Sequence, residues 1–294
     1  MNESPTWVAR LATDEATARR IIDLFAESYD AAEAAAAAFE DKAGWSVAIH
    51  FRDRPNETAV RALVALAAAP AVANALTFQT VAAHDWIKTS LAALAPVKAG
   101  RFVIHGRHDR AKVPANAIGI EIEAALAFGT GHHGTTRACL LALDRVLKRQ
   151  RPRRVLDVGT GSGVLAIAAA KILRQRVLAG DVDPRAVKVA RDNAKLNRVA
   201  NLLTVASARG VNSPLLRGRA PFDLVCANIL LAPLQRLAAP LAQCLASGGR
   251  IILSGLLPTH ANSVLFAYGA QQLVLERRTI LDGWVTLVMR KPGP

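Results

Sequence analysis

The chain has 294 residues, 52% of them hydrophobic and 20% charged. That is length for two domains and apolar content for a core in each, which excludes a disordered protein. It has no run of 18 uncharged apolar residues, and Met1-Asn2-Glu3-Ser4-Pro5 lacks the basic-then-apolar pattern of a secretory leader, so a cytoplasmic chain without membrane attachment is expected. Residues 1–100 carry 9 Lys/Arg and 12 Asp/Glu and the remainder 28 and 11, net −3 against +17, a split that fits either two surfaces with different partners or ordinary solvated helix faces.

The first segment predicts a small α/β unit. Thr6–Leu11 has strand character, and Thr13-Asp14-Glu15-Ala16 reads as an N-cap opening a helix to about Ser28. Ala34–Phe39 is alanine-rich and helix-prone in isolation. It is short, however, and stands just before the alternating strand Trp45–Phe51, so a paired strand over Ala34–Glu40 is predicted. Asn56-Glu57 caps a second helix to about Ala69. Strand, helix, strand, strand, helix is most of a ferredoxin-like pattern. Residues 70–118 hold Pro70, Pro96 and Pro114 and mixed signals, and part of this stretch is predicted to be a connector. The domains are expected at 1–92 and 119–294, with the connector at 93–118.

Beyond Ile118 strands and helices alternate. Strands are predicted at Arg153–Val158, Val177–Asp181, Leu202–Val205, Phe222–Asn228 and Arg250–Leu256. Helices are predicted at Val164–Leu173, Pro184–Asn197 and near Leu234–Ser247, with a closing hairpin of Leu273–Ile280 and Trp284–Arg290 around Asp282-Gly283. This alternation means a mostly parallel sheet with helices on both faces.

Val155-Leu156-Asp157-Val158-Gly159-Thr160-Gly161-Ser162-Gly163 ends a strand and enters a helix. Glycine permits close backbone approach, and a helix N-terminus offers unpaired N–H groups to an anion. A Walker loop would need Gly-Lys-Ser/Thr, which is absent, and the dinucleotide fingerprint needs a small residue where Val164 stands. Gly-x-Gly-x-Gly suits S-adenosylmethionine, which has no pyrophosphate; a ligand-free βα turn is the alternative. Asp181 ends the next strand, where a carboxylate can accept from both ribose hydroxyls. Asp157, before the turn, braces the loop. Asn228 ends the fourth strand, at the crevice; its amide oxygen can hold an amine, or it can cap the following turn. Thr135 or Thr136 can cap a helix and point a hydroxyl into the same crevice. Adjacent His132 and His133 point apart and make no metal site, and Cys139, Cys226 and Cys244 form no Cys-x-x-Cys pair.

Ala127-Phe128-Gly129-Thr130-Gly131-His132-His133-Gly134-Thr135-Thr136 resembles the Phe-Gly-Thr-Gly-x-His-x-Thr-Thr signature of the ribosomal protein L11 methyltransferase (PrmA) family. Leu156–Ala166, Asp181-Val182-Asp183-Pro184, Ala227-Asn228-Ile229-Leu230 and Leu253–Leu257 resemble its later blocks in the same order, and Asp85-Trp86 its Asp-Trp. The resemblance covers about residues 80–294 and departs at Gly134, where many members have Pro or Glu.

It implies a Rossmann-like class I methyltransferase domain binding S-adenosylmethionine, a mostly parallel sheet with a terminal antiparallel hairpin, plus a small N-terminal α+β ferredoxin-like domain that holds ribosomal protein L11. Carried over by motif, Thr136, Gly159, Asp181 and Asn228 are the cofactor contacts and Asn228 the catalytic residue, with lysine side chains and the terminal α-amine as acceptors. Val205-Ala206-Ser207 offers no carboxylate to an adenine amine, so no adenine contact is assigned. No metal is implied, and a monomer is expected. An acidic front half (9 acids against 3 bases in residues 1–41) suits a basic ribosomal protein, while the basic remainder suits contact with ribosomal RNA. Methylation of ribosomal RNA or of another protein by the same class I fold, or a non-catalytic dinucleotide-binding module, are the competing functions.

Overall fold

The computed structural model describes residues 6–29, 34–41, 44–51, 53–81, 96–122 and 134–293. The chain divides into two compact units, Met1–Ser90 and Leu91–Pro294.

In the first unit the order is β1 (Thr6–Thr13), α1 (Glu15–Ser28), β2 (Ala34–Asp41), β3 (Gly44–Phe51), α2 (Glu57–Ala67), α3 (Pro70–Asn74) and β4 (Thr77–Val81). The helix starts follow from side-chain capping: Asp14 accepts from the Thr17 N–H at 2.9 Å and Asn56 from the Ala59 N–H at 3.2 Å. The sheet order β2-β3-β1-β4, with antiparallel neighbours throughout, is the ferredoxin-like arrangement of two interleaved βαβ units. The alanine-rich segment is a strand because β3 supplies its partner, Ala34 opposite Phe51 through Asp41 opposite Gly44. Tertiary pairing overrides helix propensity there. Ile21 and Phe25 of α1, Ile49 of β3 and Val60 and Val64 of α2 fill the core.

The second unit begins with β5 (Val97–Ala99), β6 (Phe102–His105) and β7 (Ile118–Glu121), a three-stranded sheet. Part of the stretch 93–118, expected as a connector, forms these strands, and Ala99, Phe102 and Ile104 belong to the second unit's own core. Asn197 pins β7 there, accepting from the Glu121 N–H at 2.9 Å and donating to the Glu121 carbonyl at 2.6 Å.

The seven-stranded sheet follows: β8 (Val155–Val158), β9 (Val177–Asp181), β10 (Leu203–Ser207), β11 (Phe222–Asn228), β12 (Leu245–Leu256), β13 (Val274–Leu281) and β14 (Trp284–Arg290). Its order is β10-β9-β8-β11-β12-β14-β13. β8 to β12 are parallel and only the final hairpin is antiparallel. Period-two alternation divides the interior. Leu224, Cys226, Ile252 and Val288 face a core shared with helices α4 (Gly134–Arg149), α5 (Val164–Leu173) and α6 (Pro184–Leu196). Val225, Ala227, Ile251 and Leu287 face one shared with α8 (Leu231–Arg236), α9 (Ala238–Cys244) and α10 (Ala261–Gly269), beside the short α7 (Pro214–Arg217).

The single helix predicted near Leu234–Ser247 is instead two, α8 and α9. Pro240 cannot donate to the Arg236 carbonyl and its ring would strike it, so the helix restarts at Ala238. β12 also begins at Leu245 rather than Arg250, with a register shift opposite Phe222/Leu224 that absorbs Gly248 at φ +73°.

Candidate functional site

The chain runs from β8 outward through β9 to β10, then returns to the other side of β8 as β11. The reversal puts a crevice between the C-terminal ends of β8 and β11, the usual ligand position in an open α/β sheet. Gly159 leaves β8 and Asn228 ends β11, so two of the four predicted residues flank this point; Asp181 ends β9.

The glycine loop has φ values of +67° at Gly159, +53° at Gly161 and +83° at Gly163, a left-handed run that side chains resist. At Gly159 space is short as well, since a Cβ there would come within 2.2 Å of Ile229 Cγ2. Ile229 therefore roofs the loop. Its own backbone lies on Gly255, whose Cβ would meet the Ile229 carbonyl oxygen at 2.2 Å. Sequence reasoning missed Ile229 as a spacer; its signal was its place after Asn228, because only the tertiary fold brings it onto two glycines. The loop is stitched to β9 by the Gly159 and Thr160 N–H groups donating to the Gly180 carbonyl at 2.8 and 3.1 Å. α5 begins behind it with Gly163 at its N-cap, which has no side chain to cap it; Asp157 takes the Ala166 N–H of its first turn, and the dipole end of the helix suits an anion.

Asp181 meets this loop directly. One carboxylate oxygen accepts from the Gly161 N–H at 2.8 Å and the other from the Asp183 N–H at 3.0 Å. Asp183 caps α6 by accepting from the Arg185 N–H at 2.8 Å, which separates the two acids into different tasks.

Asp157 is buried on the central strand and braces the loop as predicted, accepting from Thr160 Oγ1 at 2.7 Å and the Ala166 N–H at 3.2 Å. Burial pushes its carboxyl up to about 6 against those two hydrogen bonds, with the nearby Asp181 charge adding to the rise. The folded protein then holds this proton more tightly than the unfolded chain does at its value of 3.8. Its contribution, about 3 kcal/mol, is full below the unfolded value and is lost as pH rises through about 6. Asp157→Asn keeps a neutral group there at every pH. Urea unfolding at pH 4 and pH 7 should show the variant gaining about 2 kcal/mol on the native protein between them, since part of the contribution is already lost at pH 4. A pH-independent gap would mean that Asp157 ionises as easily folded as unfolded.

Asn228 donates through Nδ2 to Thr135 Oγ1 at 3.4 Å and Thr136 Oγ1 at 3.5 Å. These are long contacts, but they bring together residues more than ninety apart in sequence, and both hydroxyls are buried at the start of α4. An amide holding its nitrogen towards two hydroxyls points its oxygen the other way. The start of α4 is itself clamped by the tip of the final hairpin. A Cβ on Gly134 would meet Asp282 Cβ at 2.9 Å and Trp284 Cδ1 at 3.1 Å, and Arg137 pairs with Asp282 at 3.7 Å. That close approach accounts for glycine at 134 in this chain. Asp85-Trp86 and the Ala127–His133 part of the signature lie outside the described residues.

The sequence profile described as "Ribosomal protein L11 methyltransferase (PrmA)" matches residues 11–292. A ribosomal protein L11 methyltransferase from Rhodopseudomonas palustris (strain BisB5) is 56% identical, with 95% of each chain covered. One from Bradyrhizobium diazoefficiens is 52% identical, with 100% of each covered. Among solved structures, a ribosomal protein L11 methylase from Lactobacillus delbrueckii subsp. bulgaricus is 29% identical with a TM-score of 0.60, covering 67% of this chain and 100% of that one. With the profile spanning nearly the whole chain and relatives above half identity along their full length, the protein belongs to the ribosomal protein L11 methyltransferase (PrmA) family.

Proposed function

We propose that this protein methylates amines of ribosomal protein L11, on lysine side chains and the terminal α-amine, using S-adenosylmethionine, and that it works as a monomer in the cytoplasm. The observation that carries the reading is the placement of Asn228 at the switch point, its amide turned by Thr135 and Thr136 and standing across the crevice from the glycine loop.

The residues present fit the cofactor. The glycine cradle and the start of α5 suit its amino-acid end, and Asp181, with lone pairs beyond the two N–H groups it accepts from, suits its ribose hydroxyls. Thr136 is the fourth cofactor contact. When bound, S-adenosylmethionine supplies an electrophilic sulfonium methyl. The chain's task is to present a neutral amine. A lysine amine has a pKa of about 10.4 and must lose a proton first, which a partly apolar crevice favours by disfavouring the ammonium. Asn228 Oδ1 accepts from an N–H of the free amine and fixes its lone pair, so orientation rather than a strong base contributes most of the rate. The exposed Leu230 (76%) and Val182 (63%), one after β11 and the other after β9, give that end apolar surface.

Substrate capture falls to the first unit. Asp14 and Glu15 stand exposed at the start of α1; the side chains of Asp23 and Glu27, and Asp30 as a whole, lie outside the described residues. The test is mass spectrometry of purified L11 after incubation with enzyme and cofactor, for the full chain and for a truncation lacking residues 1–90. The second unit has its own core, so the truncation should still bind cofactor. It should leave L11 almost unmethylated, because a second anchor raises effective concentration by about 10²-fold or more. Methylation at the full-length rate would place recognition in the second unit. Methylated RNA in place of methylated L11 would favour the competing function.

A further inference from the structure

The edge of the seven-stranded sheet opposite the cofactor crevice is a belt of arginines, and we infer that it docks the sugar–phosphate backbone of double-helical RNA. One register row, Leu203, Val177, Val155, Leu224, Arg250, Arg290 and Val274, crosses the whole sheet. β8 to β12 run in one direction, so the residues that precede them emerge together below this row. Gly159, Asp181 and Asn228 lie at the other end, about 13 Å of strand away at roughly 3.3 Å per residue.

Before β8, β9 and β11 those preceding residues are basic. Residues 145–154 hold six Lys/Arg and no acid and lead into β8. Arg174 and Arg176 lead into β9, and Arg217 and Arg219 into β11. Arg149, Arg151, Arg153, Arg174, Arg176 and Arg219 are all exposed. Among the described residues none of these six forms an ion pair. The acids nearby are already engaged. Asp144 pairs with Arg101 and Lys148, and Glu276 with Arg250 and Arg290. Asp223 accepts from the backbone N–H groups of Arg153 and Arg154 at 2.7 and 2.9 Å. The belt also has a recess, a cleft of about 340 Å³ whose lining includes Arg145, Arg149, Arg250 and Arg277.

The chemistry selects the partner. An unneutralised row of charge seeks a polyanion, and arginine forks match phosphate oxygens in pairs where lysine does not. Phe222, the aromatic residue that opens β11 at this edge, is buried and offers no ring to an unstacked base, so the exposed arginines point to contact with the backbone of a duplex. The choice of RNA rests on the proposed substrate, a ribosomal protein. The RNA is a docking partner here and not the methyl acceptor.

The test is fluorescence anisotropy of the full-length protein with a labelled RNA duplex of roughly 20 base pairs across a salt series. Phosphatidylglycerol vesicles serve as the second probe. The duplex should bind with log K falling linearly with log salt. Arg151→Glu/Arg153→Glu/Arg176→Glu should weaken it roughly tenfold or more and reduce the salt slope by about 3. If circular dichroism shows that this set does not fold, the same positions changed to Gln should lower affinity and slope in the same direction. Methylation of free L11 by either set should match the wild type, since the belt stands apart from the crevice. Three results overturn the inference: no duplex binding at about 0.1 M salt, a folded variant set that binds the duplex as tightly as the wild type, or vesicles bound in preference to the duplex. Failure of the wild type to methylate L11 would count against the proposed function alone, because duplex binding is read without any methyl transfer.

Discussion

Replacing Asn228 with alanine is expected to lower kcat by about 10²-fold or more while leaving cofactor affinity close to normal. The side chain sits at the end of β11 with Nδ2 towards Thr135 and Thr136, so in the proposed mechanism the variant loses the acceptor for the incoming amine. An unheld amine samples many orientations, and a lone pair pointing elsewhere does not reach the methyl. Single-turnover rates at saturating cofactor, beside calorimetric cofactor affinity, separate the two effects. The competing role, an amide that only ties the β11 turn to the start of α4, predicts a lower melting temperature with normal turnover in the folded fraction. That result would make Asn228 structural.

Asp181→Ala should weaken cofactor binding by about 1.5–4 kcal/mol, or roughly 10- to 1000-fold, because hydrogen bonds to a charged acceptor are worth about 1.5–3 kcal/mol each. The geometry adds a second consequence. The same carboxylate accepts from Gly161 and Asp183 N–H groups, so its removal also frees the glycine loop. Asp181→Asn separates the contributions, since its amide oxygen still accepts from one N–H while the charge is gone. The expected order of affinity is wild type, then Asn, then Ala. Calorimetry showing unchanged affinity in a folded Asp181→Ala protein would remove the ribose role and leave a loop brace.

Local signals carried far in this chain. Asp14 and Asn56 announce helix starts, Pro184 follows a capping aspartate, and Asp282-Gly283 turns the last hairpin; each acts within a few residues, so each is legible in order. The strand-end positions of Gly159, Asp181 and Asn228 were legible for the same reason, because a change of period marks where a strand stops. The sheet of residues 97–121 was not. Its strands are three or four residues long, too short to display a period, and they exist because Asn197, far along the chain, supplies partners for Glu121.

What the sequence determined by itself was therefore the order of elements, the glycine loop and the residue types at each strand end. Tertiary structure alone decided which ends meet. Parallel strands gather chain segments dozens of residues apart into one row, so Thr135 reaches Asn228, Ile229 lies over both Gly159 and Gly255, and arginines scattered from 145 to 219 share one edge. None of these contacts has a local signal, because each depends on the crossover connections that set strand order rather than on the preferences of any single segment.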